Sequence, residues 1–420
     1  MSKGNRATGR AYAIYAVLCA GFLASLFFRV SNAVIAPELM RSLAISAEAM
    51  GVITGMYFLV FAAAQIPTGV LLDRFGPRRT MSGLFLIAVA GSVVFALADG
   101  AIGLALGRGL MGLGCAAGLM GAMVAIARWF PADRFARLGS LLYTVGGLGL
   151  LLASTPLAAV ADAIGWRGAF LAMAVLTGAI TILLYLVLRD APPGAPAASR
   201  APETPRQIWA GLRTVFANRS LWWICAIQFV NYGTVLAVVG LWAGPYLNDV
   251  HGLGGVPRGN VLFALNVATL CGVMMFSAVE RWIDSRKWAI AGGAFVSVGV
   301  LLVLALVPGL GLWPAVALLV LYAVVSAYVM LIHAHARAVL PDHLVGRGLT
   351  LQNVAVFLGV FVIQSLSGVI IGAFDGAGGA APEAAYRAVF GFLAVVLLAG
   401  TVVYLRVRDV RPRAEGREAA

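Results

Sequence analysis

Twelve long apolar runs, separated by short polar breaks, organise this chain. They cover residues 12–36, 49–72, 80–98, 101–127, 136–160 and 168–188, and then 220–247, 259–280, 287–309, 313–337, 345–373 and 386–406. Most are close to the ~20 residues that an α-helix needs to cross a bilayer core, whereas a membrane strand takes about 10 residues of alternating polarity. The pattern predicts an all-α membrane protein with twelve transmembrane helices in two six-helix halves. The expected segments are an N-terminal tail (1–11), a first half (12–189), a linker (190–219), a second half (220–406) and a C-terminal tail (407–420). Pro192, Pro193, Pro196, Pro202 and Pro205 interrupt the linker. Within it, Ile208, Trp209, Leu212 and Phe216 recur at helical spacing beside Arg206 and Arg213, which predicts a short interfacial helix over 206–217.

Composition narrows the class further. The 420 residues are 61% hydrophobic and 11% charged, with a mean hydropathy of +0.95, which excludes a disordered chain and an ordinary soluble domain. Cys19, Cys115, Cys225 and Cys271 all lie in apolar runs without paired spacing, so neither a disulfide framework nor a cysteine zinc site is indicated. No cofactor and no resident metal is predicted, and no nucleophile or nucleotide motif suggests an enzyme.

The net charge of +13 reports topology rather than a nucleic-acid ligand. With a cytoplasmic N-terminus and twelve crossings, 24 of the 30 Lys and Arg fall on the cytoplasmic side. Only Arg41, Arg167, Arg258 and Arg387 fall outside, while Arg29 and Arg108 lie within spans. This is the skew of the positive-inside rule, and it leaves no basic domain for DNA or RNA. Both termini are therefore expected in the cytoplasm, with tail arginines such as Arg406, Arg408, Arg411 and Arg413 against membrane lipids. The first run reaches Ala36 without a small-residue cleavage site, so the first helix is expected to be retained rather than removed as a signal.

Glycines at 107, 109, 112, 114, 118 and 121 read as closely packed faces of the fourth span. After the second span comes Gly69-Val-Leu-Leu-Asp73-Arg74-Phe75-Gly76-Pro77-Arg78-Arg79, where Gly76 permits a sharp reversal. A weaker echo, Glu280-Arg281-Trp282 with Asp284, Arg286 and Lys287, ends the eighth span and indicates an internal repeat. Gly165-Trp166-Arg167 precedes the sixth span. Together with Arg108, Gly112 and Gly114, these motifs resemble those of the major facilitator superfamily over residues 12–406. The resemblance implies the major facilitator fold and alternating access. It also implies a cytoplasmic gate in which Asp73, Arg74 and Arg78, with Glu280 and Arg281 in the second half, latch and release. Gly146-Gly147-Leu148-Gly149 with Pro156 matches the family's antiporter signature only loosely, which favours symport.

Candidate chemistry lies with the polar residues inside the spans. Arg29, about 17 residues into the first helix, needs an anion, water or a polar partner, and Asn32 shares its face. A guanidinium fork suits carboxylate or phosphate. Tyr57 and Gln65 in the second span, Gln228 and Asn231 in the seventh and Asn353 in the eleventh are further candidates for substrate contact. For Arg108 the resemblance implies a role in coupling or in an internal polar network. No acid falls near the middle of a span. His333, at the end of Met330-Leu-Ile-His333-Ala-His335, is the candidate for a coupling proton. The expected function is a bacterial inner-membrane transporter that imports a small organic anion with protons. Three alternatives stay open: efflux of amphipathic compounds, uptake of a transition metal such as copper, and a non-transporting receptor or assembly factor.

Overall fold

The computed structural model describes residues 3–191, 213, 217–340, 345–374 and 381–410. Most of the linker and of the expected interfacial helix, His343, and the tail from 411 onward lie outside the described residues. Among the described residues the chain forms helices and no strand. It divides into two compact units, Met1–Ile45 with Met56–Arg200, and Ser46–Gly55 with Ala201–Ala420.

Seven helices make the first half: α1 (Lys3–Val30), α2 (Asn32–Leu43), α3 (Ala47–Ala96), α4 (Ala101–Cys115), α5 (Gly118–Trp129), α6 (Ala132–Leu152) and α7 (Thr155–Val187). The second half contains α8 (Arg219–Ala237), a π-helical turn (Val238–Trp242), α9 (Ala243–Asp249), α10 (Gly255–Ile283), α11 (Arg286–Leu306), α12 (Leu312–Val325), α13 (Val329–Ala338), α14 (Val345–Gly372) and α15 (Glu383–Tyr404). Ten helical stretches among the described residues are long and apolar enough to cross a membrane. Two of these, of 50 and 51 residues, would run for about 75 Å if straight, more than twice a bilayer core. Each folds back on itself at a glycine with positive φ, Gly76 (φ 75°, ψ 168°) and Gly165 (φ 74°, ψ 162°). Counting each as two crossings gives twelve.

Several spans that read as continuous in the sequence are interrupted. The first breaks at Ser31, the fourth at Ala116 and Ala117, the fifth at Ala153 and Ser154, and the tenth between Val325 and Val329. Pro156, near the start of α7, removes a backbone donor and explains the fifth. At the fourth and tenth the ladder tightens locally, with Ala116 N–H donating to Leu113 O and Ala327 N–H to Val324 O. Uniform apolarity hides such breaks because burial, not backbone path, sets which residues are hydrophobic.

Glycine brings the site-bearing helices together in the first unit. A Cβ on Gly112 would meet the backbone of Tyr57, and one on Gly114 would meet the backbone of Ala88. Thus α4 lies directly against both limbs of α3, and Arg108, one turn before Gly112, is carried to Tyr57. In the second unit Gly359 of α14 sits against the Phe229 backbone of α8 in the same way.

Candidate functional site

Two stacked rings organise the polar centre of the first unit. Tyr57 and Phe61, one turn apart on α3, have centroids 6.0 Å apart and planes 17° apart. The Arg29 guanidinium lies 5.5 Å from the Phe61 centroid, and that of Arg108 lies 4.8 Å from the Tyr57 centroid. Each cation faces an aromatic quadrupole, an attraction that strengthens away from water. The Tyr57 hydroxyl donates to Ser25 O at 3.3 Å, and Arg108 Nη1 donates to Phe28 O at 2.6 Å. Phe28 stands in the last turn of α1, where carbonyls lose their regular partners.

The electrostatics of this cluster are one-sided. Arg108 is completely buried, and its Nε and Nη2 have no hydrogen-bond partner. Both guanidiniums act electrostatically on Tyr57 and on Cys115, so they share one neighbourhood. The segments that carry them contain no acid over residues 11–37, 49–72 and 100–132. Among the described residues no Asp or Glu is fully buried. Such a cluster can hold an oxyanion, and the stretches that build it supply no carboxylate to give or take a proton.

The other first-half candidates have simpler surroundings. Asn32 is buried at the start of α2. Gln65 is buried and donates through Nε2 to Phe61 O, four residues back on its own helix. Asp73 and Arg74 are exposed. Arg78 donates its backbone N–H to Asp190 Oδ1 at 2.9 Å and its Nε to Tyr185 O at 2.8 Å. Asp190, which the sequence did not single out, is the acid that meets this motif; its signal is a lone carboxylate just beyond a span.

In the second unit, Gln228 and Asn231 of α8 are fully buried, and all four side-chain polar atoms lack a partner. Asn353 is half-buried. Its neighbour Gln352 is fully buried with both amide atoms unpartnered. Adjacent helical positions differ by about 100°, so a polar pair in sequence leaves open which member faces inward. Glu280 pairs with Arg286 at 2.8 Å, and Arg281 is exposed.

The two histidines of α13 differ sharply. His333 is half-buried, with Nδ1 at 2.9 Å from Val329 O. His335 is fully buried, with Nδ1 at 2.7 Å from the Tyr404 hydroxyl and Nε2 at 3.0 Å from Arg408 O. A carbonyl only accepts, so Nε2 carries the proton and Nδ1 is free to accept from Tyr404. Met330 is exposed, and no group of three His, Cys, Asp or Glu able to hold a metal is present among the described residues.

Comparison with known proteins agrees with this architecture. The chain is 23% identical to the "Probable sulfoacetate transporter SauU" of Cupriavidus necator over 256 residues, 57% of each chain. It is 25% identical to the "Probable L-galactonate transporter" of Escherichia coli over 280 residues, 61% of this chain and 60% of that one. The chain thus matches less than two thirds of the length of these relatives. Among solved structures, an inward-facing, unoccupied bacterial homologue of the human lysosomal transporter Spinster superposes with a TM-score of 0.79 at 18% identity, covering 96% of this chain and 97% of that one. The sequence profile of the Major Facilitator Superfamily matches residues 17–363. With helical stretches long and apolar enough to cross a membrane many times, the chain belongs to the Major Facilitator Superfamily.

Proposed function

We propose that the protein imports a small organic anion across the bacterial inner membrane with protons, by alternating access and with both termini in the cytoplasm. The observation that carries this reading is the pair of guanidiniums over the stacked Tyr57 and Phe61 rings in segments that contain no acid. A buried cation demands a counter-charge, and an arriving carboxylate, sulfonate or phosphate supplies one. The names of the two curated relatives, a sulfoacetate and an L-galactonate transporter, support an organic acid as cargo.

In this reading Arg29 and Asn32 bind the anionic group, and Tyr57 and Gln65 shape its surroundings. Gln228, Asn231 and Asn353 offer amides to the neutral polar part of the substrate. Arg108 belongs to the binding site as well as to coupling. His333 carries the coupling proton, and Asp73, Arg74, Arg78, Glu280 and Arg281 belong to the cytoplasmic gate.

The test is uptake by purified protein in liposomes, with a panel of carboxylates, sulfonates, phosphorylated compounds and copper at varied pH and membrane potential. Arg29→Gln and His333→Gln are compared after both are shown to be folded. The expected result is a large affinity loss for the first and an altered pH profile for the second. Unchanged saturable anion binding in Arg29→Gln overturns the contact, and pH-independent transport removes the proton.

A further inference from the structure

Past α15 the chain stays bound to the second unit through three successive residues. Arg408 O lies 3.0 Å from His335 Nε2. The Asp409 carboxylate accepts from the Ser285 hydroxyl and from the Lys287 N–H, and Val410 O accepts from the Arg286 N–H at 3.5 Å. Just before them, the Arg406 guanidinium stands 5.3 Å from the Trp223 ring centroid. Residues 406–410 thus strap α8, α11 and α13 together. The tie matters for α13, because the break between Val325 and Val329 separates this helix of 10 residues from α12.

His335 is the strap contact able to titrate near neutral pH. The neutral ring suits both of its neighbours: Nε2–H donates to the Arg408 carbonyl, and Nδ1 accepts from the Tyr404 hydroxyl at 2.7 Å. A second proton, on Nδ1, turns that acceptor into a donor. The enclosed Tyr404 hydroxyl then loses its acceptor, and a charge arises on a fully buried ring. Arg286 and Lys287 of α11 repel this charge and Asp409 attracts it, while Glu280 of α10 is engaged by Arg286 at 2.8 Å. On α13 itself His333 turns its Nδ1 to Val329 O, and Arg337 follows two residues after His335. Among the described residues no charge of α8 or α14 acts on the ring. Acid therefore favours the undocked strap. We propose that residues 406–410 are a proton-released strap, docked while His335 is neutral and let go when acid on the tail's side of the membrane protonates it, which frees the end of α13. This goes beyond the transport reading and depends neither on the cargo nor on His333.

The experiment is amide hydrogen exchange of the full-length protein in lipid nanodiscs, read at residues 406–410 by mass spectrometry and corrected for the intrinsic effect of pH on exchange. Between about pH 7.5 and about pH 5.5, where an imidazole titrates, exchange in the unaltered protein should accelerate several-fold as pH falls. His335→Gln should remove this step, and His333→Gln should keep it. Lys287→Gln retains the backbone N–H that meets Asp409 but deletes a repelling charge, so the step should move to higher pH. Constant protection of the unaltered tail across this range overturns the proposal. So does a step that survives in a folded His335→Gln variant, or one that moves to lower pH in Lys287→Gln. None of these outcomes bears on the organic-anion reading, which is tested by uptake.

Discussion

The carboxylate of Asp190 accepts the backbone N–H of Arg78 at 2.9 Å, tying the end of the sixth span to the start of the third. The local reason is visible in the turn. Gly76 leaves the helix and Pro77 restarts it, so Arg78 carries one of the unpaired donors of a helix start, and Gly76 has no side chain to cap it. The second half repeats the device: Asp409, beyond the twelfth span, accepts from Lys287 N–H at 3.1 Å and from the Ser285 hydroxyl at 2.7 Å.

Removing these caps should cost stability. Asp190→Ala is expected to lose about 1–2 kcal/mol, the range of a helix cap. Asp409→Ala should lose less, because Ser285 still accepts from Trp288 N–H at 3.1 Å. Thermal unfolding in detergent compares the two, and an Asp409 variant less stable than the Asp190 variant contradicts this ordering.

The two reversal glycines separate strain from contact. Both have positive φ and extended ψ, a region open essentially to glycine, so alanine at either position should cost about 1–3 kcal/mol. A Cβ at Gly165 meets open space, whereas one at Gly76 runs into the Asp190 carboxylate. Gly76→Ala should therefore be the more damaging, and the double variant Gly76→Ala with Asp190→Ala less than additive, as measured by unfolding midpoints.

Arg108→Gln removes a buried charge that also holds α1 through the Phe28 carbonyl. Loss of one partner of a buried charged contact typically costs about 2 kcal/mol or more, about 30-fold in affinity. Tyr57→Phe keeps the ring beneath the cation and loses only the bond to Ser25, so its effect on anion affinity should be several-fold smaller. Isothermal titration with a transported anion distinguishes them.

Acid should weaken the second half around the loop after α9. His251, in the loop after α9, sits 5.1 Å from the Tyr246 ring. Partial burial holds its pKa below 6.5, against a smaller opposing pull from Glu383. The unfolded chain then takes up this proton first as pH falls, so stability is lost from about 6.5 down to the lowered value and levels off below it. His251→Gln should flatten that segment of the stability profile, measured by unfolding between pH 7 and pH 5.

How far the sequence reaches differs between fold and site. Run lengths, the positive-inside skew and Gly76 define the crossings, because hydropathy and backbone freedom are local properties. The breaks at Ser31 and between Val325 and Val329 are invisible to hydropathy, since the long runs around them stay apolar on average even with Arg29, Asn32 and Ser326 inside them. Arg29 stands out as a charge inside a span, but its proximity to Arg108 depends on Gly112 bringing α4 onto Tyr57. His335 rather than His333 is the fixed histidine of α13, and that depends on Tyr404 and Arg408, some 70 residues later in the chain. Pairings across such separations carry no local signal.

The π-helical turn at Val238–Trp242 has a consequence for how this span can change over evolution. Such a turn is what an α-helix becomes when one residue is inserted into it. Because the widened turn absorbs that residue locally, deleting a single codon there would rewind the helix while the segment beyond keeps its facing, whereas a deletion in a regular stretch of the same span would turn everything after it by about 100°. Gln228 and Asn231 before the turn and Trp242 at its end, whose indole N–H reaches the Ser367 hydroxyl at 2.7 Å, can therefore hold their directions through a one-residue change in length confined to this turn, and alignments that forbid a gap there will place Trp242 one residue out of frame.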